Sequence, residues 1–177
     1  MIEYTVGGPE DATSIAALHA ESWSLHYRGE FTDHYLDHEV QGERLAEWEK
    51  RMTEAIPTQH VVLAEEGDKL CGFSCVYLNK DEQWGALLDN LHVQQAYMGK
   101  GVGRKLMQEA ARWVKQQDRN QSMYLWVLAS NESASRFYER IGGDKVEETM
   151  MDNPGGGASK VWRYVWRDLD RLIEEGR

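Results

Sequence analysis

Three glycines in alternation, Gly99-Lys100-Gly101-Val102-Gly103, stand between an apolar run ending at Val93 and a segment with Val102, Leu106, Ala110 and Val114 spaced by four. That spacing is the stripe of an amphipathic helix. A strand that turns through glycines into such a helix restricts the fold more than any other feature of the chain. Glycine lets the backbone take positive φ and approach a ligand without interference from Cβ. The first helical turn carries N–H groups with no internal acceptor and a partial positive charge. Together these form a cradle for an anion such as pyrophosphate. The helix dipole contributes only about 0.3–2 kcal/mol, so direct N–H bonds must supply most of the grip.

Two phosphate-binding spellings fail on this segment. A Walker loop needs GxxxxGK[ST], but Gly103 is followed by Arg104-Lys105-Leu106, with no hydroxyl where Mg²⁺ would need one. A dinucleotide fingerprint started at Gly99 requires glycine at position 104, which is arginine.

Around this turn the chain alternates strand-like and helix-like runs. Tyr4 to Val6 reads as the end of a first strand, and Gly8-Pro9-Glu10-Asp11 opens a helix that buries Ile15, Leu18 and Trp23. A second helix shows Leu45, Trp48, Met52 and Ile56 and is expected to stop at Pro57. His60 to Ala64 and Leu70 to Leu78 form a hairpin about Glu66-Gly67-Asp68. A strand from Gly85 or Ala86 to Val93 leads into the glycine turn. After its helix come a strand at Tyr124 to Leu128 and a helix face of Ala134, Phe137, Tyr138 and Ile141 that ends at Gly142-Gly143. Val146 to Met151 and Val161 to Trp166 close the chain as a strand pair joined by the loop Asp152 to Gly157. The order β-α-α-β-β-β-α-β-α-β-β predicts an α/β (α+β) fold, a mixed sheet with helices on both faces, in which the β-α-β stretch from Val93 to Leu128 supplies a parallel pair.

Composition sets limits on function. Hydrophobic residues make up 41% and charged residues 28% of 177 positions, the balance of a globular chain that is expected to form one domain over residues 1–177. No apolar run approaches the roughly 18 residues that span a bilayer. Met1-Ile2-Glu3-Tyr4 shows neither a basic leader nor an apolar signal segment, so a cytoplasmic location away from membranes is expected. The net charge of −10 argues against nucleic acid as a partner. Against that background, Lys100, Arg104, Lys105, Arg112 and Lys115 meet Glu109 alone between Gly99 and Lys115, a local basic segment that suits either a small anion or a solvated helix face. Cys71 and Cys75 are the two cysteines. On one strand they lie about 13 Å apart at roughly 3.3 Å per residue, too far for a disulfide, and the spacing is no metal motif.

The glycine turn resembles the acetyl-CoA loop of the GNAT acetyltransferases, [QR]xxGx[GA]. Gly99 and Gly101 match and Gly103 extends the pattern, whereas Ala96 and Met98 stand where the family has Gln or Arg and a frequent base. Downstream, Asn131-Glu132-Ser133-Ala134-Ser135-Arg136-Phe137-Tyr138-Glu139-Arg140-Ile141-Gly142-Gly143 resembles the family's NxxAxxFYxxxGF segment, with Gly143 in place of the last aromatic. The resemblance implies a sheet of about seven strands, splayed at its centre, and an enzyme that uses acetyl-CoA without a metal to acetylate an amine of a small molecule or peptide. It implies that backbone groups of Leu91, His92 and Val93 hold the pantetheine arm. The pyrophosphate would then lie on Met98, Gly99, Lys100, Gly101, Val102, Gly103 and Arg104, and Asn131 would bond the pantetheine or orient the acetyl end. Tyr138 would face the departing sulfur, or else serve as a core tyrosine beside Phe137.

Removing a proton from a lysine-like amine at pH 7 costs roughly 4.6 kcal/mol, and from an α-amine about 1.4 kcal/mol. A dedicated base therefore matters more for the first class, and Asp89, on the strand leading to the cofactor, is the candidate, the alternative being a solvated or salt-bridged carboxylate. His92 lies within the cofactor strand and reads as structural or cofactor-lining rather than as a base. Ser22-Trp23-Ser24-Leu25-His26-Tyr27-Arg28-Gly29 resembles the SWxxxYRG segment of a group of bacterial GNATs, which makes Trp23, Tyr27 and Arg28 acceptor-pocket candidates. The acidic surface favours cationic acceptors. A non-catalytic acyl-CoA-binding regulator, a longer acyl donor and a homodimer are also compatible with the residues.

Overall fold

The computed structural model describes residues 1–174. The strands are β1 (Ile2–Val6), β2 (Gln59–Glu66), β3 (Lys69–Asp81), β4 (Gly85–Val93), β5 (Met123–Leu128), β6 (Asp144–Asp152) and β7 (Ala158–Trp166). The helices are α1 (Ala12–His26), α2 (Asp33–His38), α3 (Val40–Thr53), α4 (Val102–Gln117), α5 (Glu132–Arg140) and α6 (Leu169–Glu174). The strands form one sheet in the order β1-β2-β3-β4-β5-β7-β6. All neighbours are antiparallel except β4 and β5. This is the mixed sheet that the element order predicts, with the seven strands and the central parting that the resemblance implies.

Helices cover both faces. Ile15 and Leu18 of α1 and Trp48 and Met52 of α3 pack with Val61, Leu63, Phe73 and Cys75 on one side. Met107, Ala110, Ala111 and Val114 of α4 pack with Val76, Ala86, Leu88, Met123, Leu125 and Val127 on the other, together with Tyr138, Tyr164 and Trp166. Successive strand residues point to opposite faces. The run Val61-Val62-Leu63-Ala64 is therefore apolar throughout, because Val62 and Ala64 meet Val102 and Leu106 of α4. Cys71 and Cys75 are both buried and free.

The structure differs from the expected pattern at three places. Helix α3 ends at Thr53 rather than at Pro57, with the Thr53 hydroxyl donating to the carbonyls of Glu49 (2.7 Å) and Lys50 (3.3 Å). Ile56 therefore lies in the following turn, 48% exposed. Two short helices escape the periodicity, because one or two turns carry no stripe. Helix α2 starts at a Thr32 cap that accepts from Tyr35 N–H. Helix α6 docks on α4, whose Gln108 Nε2 donates to the carbonyls of Leu172 (3.1 Å) and Ile173 (3.3 Å).

Candidate active site

Strands β4 and β5 pair only through Ala86 with Met123 and Leu87 with Tyr124, and then part. The closed end is pinned where the Ala86 N–H donates to the Ser122 carbonyl (2.9 Å) and the Ser122 hydroxyl donates to the Trp84 carbonyl (2.9 Å). On its other edge β4 stays paired with β3, where Cys75 faces Asn90 and Val76 faces Leu88. Asp89 is thus the extra residue of a bulge, which bends β4 away from β5. Beyond it Leu91 and Val93 pair with Ser74 and Gly72, so only their β5-side edge faces the gap. Gly72 is a requirement that the sequence reading missed. A Cβ there would lie 2.8 Å from the His92 carbonyl oxygen, and its only signal is a glycine inside an apolar strand.

The glycine turn sits at the open end. Gly99 (φ 75°) and Gly101 (φ 83°) both occupy the left-handed region, with open space where a side chain would go. Backbone conformation is the constraint here, and Gly101 delivers the chain into α4. The Lys105 N–H bonds the Gly101 carbonyl (3.0 Å), so the N–H groups of Val102, Gly103 and Arg104 precede the first helical bond and point outward. Lys100 N–H instead turns back to the Tyr97 carbonyl (3.4 Å). Gly103 lies between Val93 and Phe137, each 3.6 Å from the position of a Cβ.

Tertiary structure sorts the basic segment. Glu109 takes both Lys105 and Arg112 at 2.8 Å, and Lys115 pairs with Asp170. Lys100 lies 5.0 Å over the Tyr97 ring. Arg104 keeps a buried Nε with no partner among the described residues. An unsatisfied buried guanidinium nitrogen beside free helix N–H groups is what an anion cradle requires, so these residues fit a pyrophosphate.

Across the gap, Asn131 accepts the Ala134 N–H through its side-chain oxygen (3.1 Å) and caps α5. Its amide nitrogen is left to donate elsewhere. Tyr138 is 8% exposed and packs against Tyr164 and Trp166 at ring distances of 5.9 and 5.8 Å. Burial, and then the nearby Tyr27 phenol, push its hydroxyl well above the ordinary range.

Asp89 is not free. Arg51 Nη1 donates to its Oδ2 at 2.7 Å and to Asn90 Oδ1 at 3.1 Å, while Arg51 Nε donates to Glu47 (2.6 Å). Because Arg51 belongs to α3, Asp89 turns toward the α1–α3 side of the sheet. His92 turns the same way, with Nδ1 2.8 Å from the Ser22 hydroxyl and its ring 4.5 Å from His19. Burial, helped by His26 and Arg44, lowers its imidazole to about 3, so it is neutral at ordinary pH.

Trp23 and Tyr27 stack at 5.6 Å and join Phe31 and Tyr35 in one aromatic cluster. Burial pushes the Tyr27 phenol up to about 12, against a bond from Trp23. Arg28 is occupied elsewhere: it pairs with Asp33 (3.0 Å) and Asp37 and donates to the Ser24 carbonyl (3.2 Å), clasping α1 to α2. The sequence reading also passed over Trp126. Its neighbours Leu125 and Val127 lie in the α4-side core, so Trp126 faces the Asp89 side of the gap. The alternation in Tyr124-Leu125-Trp126-Val127 carried that signal.

The chain is similar to the uncharacterized N-acetyltransferase YuaI of Bacillus subtilis, 26% identical over 165 residues that cover 92% of this chain and 91% of that protein. Its fold matches the PaiA N-acetyltransferase of Thermoplasma acidophilum in complex with coenzyme A, with a TM-score of 0.70 at 20% identity over 94% of this chain and 99% of that one. It also matches the acetyltransferase YncA of Salmonella typhimurium with its cofactor acetyl-CoA, with a TM-score of 0.68 at 17% identity over 94% of each chain. No helix among the described residues is long and apolar enough to cross a membrane. The model of the Acetyltransferase (GNAT) family matches residues 16–143. Spanning both motifs and both parted strands, that match places the chain in the GNAT acetyltransferase family, as an acyltransferase.

Proposed function

We propose that this enzyme moves an acetyl group from acetyl-CoA directly to a primary amine of a small molecule or peptide. The observation that carries this reading is the gap between β4 and β5, which has the free N-terminus of α4 at its open end. Two structural neighbours that share the fold were obtained with coenzyme A or acetyl-CoA, which supports the same ligand here.

In this reading the unpaired edge of Leu91 and Val93 receives the pantetheine as an added strand. Val102, Gly103 and Arg104 N–H groups and the Arg104 guanidinium hold the pyrophosphate, and the Asn131 amide donates to the arm. Acetyl-CoA supplies the acetyl group as a thioester: the amine nitrogen bonds to the carbonyl carbon, the C–S bond breaks, and the sulfur leaves with the electron pair. Tyr138 donates a hydrogen bond to that sulfur. Complete transfer of its proton is uphill by roughly 2 kcal/mol for unperturbed groups, and burial of the phenol increases that cost. Charge stabilisation is therefore its role. Asp89, oriented by Arg51, takes the proton lost by the amine, directly or through water.

The test is a thiol-release assay with acetyl-CoA across a panel of amines, beside a Tyr138→Phe variant. Release with one amine class, reduced in the variant while acetyl-CoA binding is kept, supports the proposal. Tight acetyl-CoA binding with no release from any amine overturns it in favour of a non-catalytic regulator.

A further inference from the structure

Sheet register lines up a row of side chains beside the gap. Glu147 of β6 faces Arg163 of β7, and Arg163 faces Trp126 of β5. Trp126 lies two residues past the last β4–β5 pair, and the bulged Asp89 lies two residues past the same pair on β4. Trp126 and Asp89 therefore border the gap from its two sides, on the face away from α4.

The indole is held in place. The Arg163 guanidinium lies 4.3 Å from the Trp126 ring centre, 4.9 Å from Tyr124 and 5.4 Å from Trp84, and it pairs with Asp81 (3.1 Å) and Glu147 (3.0 Å). At 9% exposure Arg163 is enclosed by these partners. One face of the indole is thus occupied, yet Trp126 remains half-exposed. The adjoining row is Tyr77, Leu87 and Tyr124, the first two also half-exposed. The floor beside the gap is aromatic and aliphatic. Its borders keep one net negative charge, because the four carboxylates Glu47, Asp89, Asp81 and Glu147 meet three cations, Arg51, Arg163 and Lys80, whose Nζ lies 5.0 Å over the Tyr77 ring.

We infer that Trp126 is the acceptor platform and that the acceptor is a small primary amine, arriving as an ammonium, on an apolar alkyl or aryl stem. The inference rests on the acetyl-transfer reading above and names the substrate class for that site. The negative borders draw in the cation. The stem loses water favourably against the indole, whereas a hydroxylated stem laid there gives up hydrogen bonds that the floor does not replace. Arg163 is a positioning residue that keeps the ring beside the gap.

The test compares phenethylamine with glucosamine as acceptors. Wild type is expected to favour phenethylamine in kcat/KM by about a hundredfold, in line with discrimination between an apolar and a hydroxylated stem. Trp126→Gln should reduce that preference about tenfold, mainly through the amine KM, with the acetyl-CoA KM unchanged. Trp126→Phe should restore most of it. A preference that survives Trp126→Gln overturns the platform.

A second measurement needs no turnover. The indole N–H resonance of Trp126, assigned by its absence from Trp126→Phe, is followed while phenethylamine is added to the wild-type protein. A shift without thiol release from any amine keeps the platform and defeats the acetyl-transfer reading. Release without a shift and without altered preference defeats the platform alone. Neither shift nor release defeats both.

Discussion

The indole N–H of Trp48 donates to Nδ1 of His19 at 2.9 Å, and this bond places the proton of a fully buried imidazole on Nε2. That Nε2 has no partner among the described residues. Burial, then His92, Arg44 and Arg51, hold His19 well below the usual histidine range, and its neighbour His92 titrates at about 3.

Stability is therefore expected to fall in acid. Above the unfolded histidine value, near 6.5, both states are neutral and neither group contributes a slope. Below it the unfolded chain binds protons that the folded chain refuses, so stability falls by about 1.4 kcal/mol per pH unit for each histidine. For His92 the fall continues down to about 3. Melting temperatures measured from pH 8 to pH 4 should be flat above pH 7 and drop below 6.5, with a shallower drop in His92→Gln. Equal slopes in the two proteins would count against this account.

Gly101→Ala should weaken the cradle while sparing the core. The residue sits at φ 83° with open space around it, so the cost is backbone strain of about 1–2 kcal/mol. Relaxation of the loop is expected to lower acetyl-CoA affinity about tenfold, since 1.4 kcal/mol is a factor of ten. Calorimetric titration checks this, with the melting temperature as the control for folding.

Gly72 and Gly42 should respond in opposite directions. A Cβ at Gly72 would stand 2.8 Å from the His92 carbonyl oxygen, while Gly42 in α3 has nothing within 4 Å. Gly72→Ala must force β3 and β4 apart and is expected to cost about 1–3 kcal/mol. Gly42→Ala removes a helical glycine and should stabilise by about 0.5–1 kcal/mol. Urea denaturation of both variants measures the contrast.

Asp89→Asn separates a base from a structural carboxylate. As a base, Asp89 should account for about a hundredfold in kcat with a lysine-like amine at pH 7. The loss should shrink as pH approaches the amine's own pKa, because solvent then performs the deprotonation. An unchanged rate at pH 7 in a variant that melts normally would assign the proton to water.

Much of this fold was legible in the chain itself, because its signals are local. Apolar runs bounded by turn residues mark β2 to β5, the spacing of four marks α4, and Gly99 and Gly101 announce a turn that only positive φ permits. The Ala134, Phe137, Tyr138 and Ile141 face of α5 follows from the same short-range periodicity, whereas the Asn131 cap on α5 shows only in the structure. What the tertiary structure decided is who stands beside whom. Arg51 reaches Asp89 across 38 positions, Glu109 pairs with Lys105 and Arg112 while the Arg104 Nε has no partner among the described residues, and Arg28 clasps α2 through Asp33 and Asp37. Trp126 comes to border the gap because one bulge at Asp89 bends β4 away from β5. Periodicity records which way each side chain points along its own strand or helix. Ion pairs and strand partings depend on distances between segments far apart in the chain, and those exist only once the helices have packed on both faces of the assembled sheet.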